Sequence, residues 1–137
     1  MDILSTQGTP VIAPAAGRVT HVFTDPFYGN NIIISHGINA DSVKTRTQYK
    51  HLTTQIVEVG DTVARGQKIG TLGRTGILAG GLLHLHFEVQ IEGRLGIMTP
   101  VNPNAYWVNG LNNITCFDPL ADWPDEPFRI TYPVGCR

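Results

Sequence analysis

The segment Leu83-His84-Leu85-His86-Phe87-Glu88-Val89-Gln90 alternates apolar and polar residues without a fault. In a β-strand, side chains at i and i+2 share a face, roughly 6.5 to 7 Å apart. Leu83, Leu85, Phe87 and Val89 are therefore expected in a core, and His84, His86, Glu88 and Gln90 together in a cleft or in solvent. Two imidazoles on one face can serve one metal ion, or one can bind metal while the other handles protons. Glu88, next along that face, can orient His86 by accepting a hydrogen bond from its ring. A second segment, Thr45-Arg46-Thr47-Gln48-Tyr49-Lys50-His51, reads as a strand with Tyr49 and His51 on one face, adding a third imidazole.

The rest of the chain has the elements to carry such a strand. Thr9–Ala13, Arg18–Thr24 and the β-branched run Asn31–His36 read as strands. Asp25-Pro26-Phe27-Tyr28-Gly29-Asn30 supplies a turn, and Gly37 to Lys44 a polar loop. Between Val57 and Gly70, two glycine turns separate three very short apolar pieces, and a glycine-rich loop, Gly73 to Gly81, precedes His84. That loop is no phosphate cradle, because no Lys-Ser or Lys-Thr follows it and a strand follows where a helix would be needed. These signals predict an all-β fold, a compact antiparallel β-sandwich or barrel-like domain with little helix. From about residue 99 the chain changes character. Six of nine prolines fall there, with Trp107 and Trp123, so residues 106–137 are expected to form an irregular extension packed by its aromatics on a domain of residues 1–105.

Composition narrows the function. The 137 residues carry a net charge of −1 and 42% apolar residues, which excludes a disordered chain. The balance of ten basic against eleven acidic residues gives no reason to expect a nucleic-acid partner. No run approaches the ~20 apolar residues that span a bilayer. Cys116 and Cys136 either remain buried thiols or close a loop of about 20 residues, which contributes about 3 kcal/mol in the chain-entropy model.

In order along the chain, Asp2, Gly8-Thr9-Pro10-Val11-Ile12-Ala13, Gly17-Arg18-Val19, Tyr28-Gly29-Asn30, Ile32–Gly37, Tyr49-Lys50-His51-Leu52, Val59–Val63, Gly66–Gly70, Gly73-Arg74-Thr75-Gly76, His84-Leu85-His86-Phe87-Glu88 and Val101-Asn102-Pro103 resemble the lysostaphin-type zinc endopeptidases, which cut peptide cross-links of bacterial cell walls. The resemblance covers about residues 1–105. It implies a Zn2+ cofactor held by Asp2 and His86, with His51 and His84 as the catalytic pair. It also implies Tyr49, His36 and Glu88 around the groove, a peptidoglycan peptide as substrate, and a secreted or cell-envelope location. That setting favours the Cys116–Cys136 disulfide over free thiols. The family's leading histidine ligand falls four residues before Asp2, ahead of the first residue, so the chain is expected to be truncated at its N-terminus. The alternative reading is a degenerate, inactive member that acts as a binding or activator module. The loop before His84 is about two residues longer than usual and carries Leu78-Ala79 where small hydroxyl residues are common; the loop from Gly37 to Arg46 is also extended. The Val59-Gly60-Asp61 and Gly66-Gln67 turns also resemble biotinyl or lipoyl carriers and sugar-phosphotransferase domains, but the modified lysine and phosphorylatable histidine those need are absent.

Overall fold

The structure is a computed structural model that describes residues 1–39 and 41–136. Ten strands form two antiparallel sheets, and the described helices are single turns. The strands are β1 (Asp2–Leu4), β2 (Pro10–Ile12), β3 (Gly17–Asp25), β4 (Gly29–Ile38), β5 (Lys44–Leu52), β6 (Thr54–Gln55), β7 (Thr62–Val63), β8 (Lys68–Thr71), β9 (His84–Glu92) and β10 (Met98–Val101). The large sheet runs β1-β9-β5-β4-β3-β7, with β10 also on β9, and the small one runs β2-β8-β6.

The long strands lie where alternation and β-branched runs predict them. The predicted Gly37–Lys44 loop shrinks at both ends, since β4 runs on to Ile38 and β5 starts at Lys44; Ala40 in that loop lies outside the described residues. The three apolar pieces between Val57 and Gly70 divide, with β7 joining the large sheet and β8 the small one. Sequence periodicity misses β1 and β10, which are too short to show a period of two. Both pair with one edge of β9: Asp2 lies opposite His86, and Val101 opposite Val89. The other edge of β9 pairs with β5, placing Lys50 opposite His86 and Tyr49 opposite Phe87.

The core lies between the sheets. Leu85, Phe87 and Val89 from β9 are fully buried with Ile32, Ile34 and Tyr49, against Val11, Ile69 and Leu72 from the small sheet and its margin. Leu83 is only partly buried, because it precedes the strand. The segment after residue 105 is as irregular as its prolines require, yet it belongs to the same core. Trp107, Phe128, Ile130 and Val134 join that cluster, Trp107 with no exposed surface. Single bridges tie Trp107 to Ile130 and Val134 to Val11, and a disulfide joins Cys116 to Cys136. Gly66 turns with φ +83° directly against the Phe117 ring, where a Cβ would collide. Among the described residues, no helix is long and apolar enough to cross a membrane.

A tail that completes the core has a measurable consequence. Trp107→Ala is expected to cost about 3–5 kcal/mol in denaturant-induced unfolding. A change below about 1 kcal/mol would mean that residues 106–137 are dispensable for the fold.

Candidate active site

Three elements bring the chemistry-bearing side chains together on the face of β9 opposite the core. The strand alternation places His84, His86, Glu88 and Gln90 there as predicted, but the face is partly covered: His84 and Gln90 are each only 5% exposed. Strand β1 brings Asp2 to His86 across the ladder, and β5 brings Lys50 and His51 from the other side.

The charged part of the site centres on His86. Its Nδ1 lies 2.7 Å from Asp2 Oδ1 and its Nε2 2.7 Å from Glu88 Oε2. A carboxylate only accepts, so a proton on either ring nitrogen has a carboxylate to donate to. The hydrogen bond to Glu88 raises the His86 pKa, with a further rise from Asp2, against the effect of burial. The same bond, helped by Gln90 and Lys50, brings Glu88 down to about 2 although burial opposes it. Partial burial pushes Asp2 up, but the bond and charge of His86 outweigh it, so its pKa falls. Lys50 Nζ sits 3.1 Å from Glu88 Oε2 and 4.0 Å from the centre of the Tyr28 ring.

The second part is His51 with His84, their ring centres 4.7 Å apart. His84 Nδ1 donates to the Leu82 carbonyl at 2.9 Å, and His51 Nδ1 donates to the Thr75 carbonyl at 2.8 Å. A carbonyl accepts only, so Nδ1 carries a proton on each ring. Burial lowers the His51 pKa; the Thr75 carbonyl raises it, and the neighbouring positive groups lower it further.

The predicted shared face of Tyr49 and His51 is wrong, and the reason is a β-bulge. Between the pairs Asn30–Leu52 and Ile32–Tyr49, β5 carries one residue more than β4. His51 absorbs the extra residue with φ +69°, a conformation uncommon outside glycine. Lys50 and His51 thus both reach the polar face, while Tyr49 turns into the core beside Phe87. Tyr49 lies with its hydroxyl 2.5 Å from Thr47 Oγ1, and burial pushes its pKa up. His36 is also away from the site. It sits near the far end of β4, with Nδ1 bonded to the Ala16 carbonyl at 2.8 Å and Nε2 to Thr47 Oγ1 at 2.7 Å. Burial pushes it down to about 4, which fits a neutral ring closing a Tyr49–Thr47–His36 relay. The structure therefore brings together Asp2, His51, His84, His86 and Glu88, and leaves Tyr49 and His36 in a separate buried network.

Two residues of the site escaped sequence reasoning. Lys50 carried no signal beyond its strand. Thr75 did, through the Gly73-x-Thr75-Gly76 pattern. Its hydroxyl donates to the Leu52 carbonyl at 2.7 Å and accepts from the Asn30 N–H at 3.1 Å, while its carbonyl holds His51. Exposed Phe27, Tyr28, Ile77 and Leu78 rim this end, their loops joined by the Ile77 and Leu78 N–H groups donating to the Pro26 and Phe27 carbonyls.

Among the described residues, no group of three His, Cys, Asp or Glu side chains is assembled to hold a metal ion. The Nδ1 side of His86 and the Asp2 carboxylate face each other and offer two donors, whereas a catalytic zinc takes three protein ligands. The set is one donor short.

The model of "Peptidase family M23" matches residues 1–103. The chain is 39% identical over 101 residues to the peptidoglycan DD-endopeptidase ShyA of Vibrio cholerae, covering 74% of this chain and 21% of that protein. It is 37% identical over 107 residues to the murein hydrolase activator NlpD of Escherichia coli K12, covering 77% of this chain and 25% of that one. The chain thus spans about a fifth to a quarter of the length of these relatives. Among solved structures, the catalytic domain of lysostaphin from Staphylococcus simulans superposes with a TM-score of 0.61 at 34% identity, over 74% of this chain and 72% of that one.

The ion pairs around His86 set a pH window for stability. A lowered carboxylate stabilises above its ordinary value near 4.5 and loses that contribution as pH falls toward about 2. A raised histidine stabilises fully below its ordinary 6.5 and loses it as pH rises through the folded value. With a chelator present, the Tm advantage of the native chain over Glu88→Gln is expected to peak between about pH 4.5 and 6.5 and to shrink on both sides. A flat difference in thermal melts would show that the Asp2–His86–Glu88 set carries no net stabilisation. From its sequence, its fold and the solved structures it superposes on, the chain belongs to peptidase family M23.

Proposed function

We propose that this chain is the hydrolytic domain of a zinc-dependent endopeptidase that cleaves peptide cross-links of peptidoglycan in the cell envelope. The observation that carries the reading is the convergence of Asp2, His86, His51 and His84 on one face. Asp2 and His86 would supply two of a zinc ion's donors, with the third from outside the described residues, and the metal would activate the attacking water. As a ligand His86 would be neutral at Nδ1. Glu88 keeps its bond to Nε2 and fixes the ring. His51 and His84, each anchored through Nδ1 to a backbone carbonyl, present Nε2 to accept a proton from the attacking water and return it to the leaving amine. Once protonated, the same nitrogens donate to the oxyanion of the tetrahedral intermediate. Similarity to ShyA, a peptidoglycan DD-endopeptidase, supports the substrate class.

A second reading has its own support. The donor set is one short, and similarity to the murein hydrolase activator NlpD fits a module that binds or activates without cleaving.

One experiment separates the two. A protein extended at its N-terminus, so that a histidine lies four residues before Asp2, is expected to hold close to one zinc per chain and to cut purified peptidoglycan. His86→Ala should lose the metal. His84→Ala should keep it while kcat falls at least ~100-fold. An extended protein that takes up no zinc, or holds zinc and releases no fragments, leaves the activator reading.

A further inference from the structure

The polar face of the large sheet continues past the histidines. Arg46 lies opposite Gln90 on β9 and opposite Ser35 on β4, four positions along from the Lys50–His86 pair. At about 3.3 Å per residue, that is roughly 13 Å from His86. A cavity of about 230 Å³ opens there, with Arg46, Lys44, His21 and Ser35 among its lining. Arg46 Nε donates to Gln90 Oε1, while Gln90 Nε2 donates to Gln48 Oε1 at 2.8 Å and to Glu88 Oε1 at 2.9 Å. Because Gln90 is nearly buried, this chain of bonds holds the guanidinium plane in one orientation.

The held guanidinium lacks an anion. Among the described residues, no carboxylate forms an ion pair with Arg46, and its terminal nitrogens have no hydrogen-bond acceptor. Glu88, the nearest acid along the face, is committed to His86 and Lys50. Glu92 is the one acid in the lining and accepts from the Lys44 backbone N–H at 3.3 Å. Lys44 and Arg46 against Glu92 leave the cavity with an excess of one positive charge. A partly covered cation without a contacting partner is a cost in free energy that a bound anion removes; desolvation lowers the Arg46 pKa, and the charge of Glu88 opposes this only in part. A planar fork with two free edges suits a carboxylate, which it can grip through two parallel bonds.

We propose that the Arg46 cavity is a subsite that binds a free carboxylate of a peptide ligand about four residues from the bond presented to His51 and His84. The subsite rests on the peptidase reading for its peptide ligand, though carboxylate binding stands without catalysis. It would make the enzyme prefer peptides that end, or carry an acid, at that distance.

The test compares three N-acetylated penta-alanine probes on the unmodified 137-residue chain: a free C-terminal acid, the C-terminal amide, and an amide whose last residue is glutamate. Isothermal titration calorimetry is expected to show the free acid binding about tenfold tighter than the plain amide. Arg46→Gln should erase the difference, and His84→Ala should preserve it. If the glutamate amide matches the free acid, a side-chain carboxylate serves as well as a terminal one. Equal binding of acid and plain amide to the unmodified chain would overturn the subsite, as would a preference that survives Arg46→Gln. An extended protein that takes up no zinc would sink the peptidase reading while leaving the acid-over-amide preference intact.

Discussion

Register on β9 is the constraint from which the site follows. Its side chains alternate, so a slip of one residue would drive His84, His86 and Glu88 into the core and expose Leu85, Phe87 and Val89. Three pairings hold the register. β5 runs along one edge, while β1 and β10 divide the other between them. Val101 opposite Val89 leaves β1 only the first positions of that edge, which fixes Asp2 against His86. An interaction between residues 84 apart in sequence is thus determined by backbone pairing as much as by the attraction of the two side chains.

The same sheet holds two imidazole environments a few ångströms apart. His86 sits between two carboxylates that raise its pKa, whereas His51 is covered, has its pKa lowered and is anchored to a carbonyl. One ring thus sits between carboxylates, beside two that are anchored to backbone carbonyls. The His51 environment depends on a backbone irregularity. The bulge at His51 lets β5 present consecutive residues to one face, and Thr75 ties the following loop to both β4 and β5. The bulge therefore acts as a positioning device, with its strain at His51 held by the surrounding bonds.

Beyond residue 103, where the family model ends, the chain closes the core instead of forming a separate body. Its prolines forbid regular ladders, so the aromatic rings and the disulfide do the joining. Arg65 adds to this by donating to the Pro14 carbonyl at 2.6 Å and lying 5.7 Å from the Trp123 ring. The histidine-bearing face lies across the sheet from this tail. The tail thus acts on the site through the stability of the scaffold.

Local pattern alone determined the long strands, the two faces of β9 and the polar set His84, His86 and Glu88, because a period of two is written in consecutive residues. Motif order was enough to single out Asp2 and His51. Tertiary structure decided what no local pattern encodes: that Asp2 meets His86 through a three-residue strand, and that the proline-rich tail completes the core. It also decided that one extra residue in β5 turns Tyr49 away from His51. Short strands carry too few residues to display a period, and a bulge shows only when two paired strands are counted against each other. Those features arise from contacts between distant segments, and they are where sequence reading stopped.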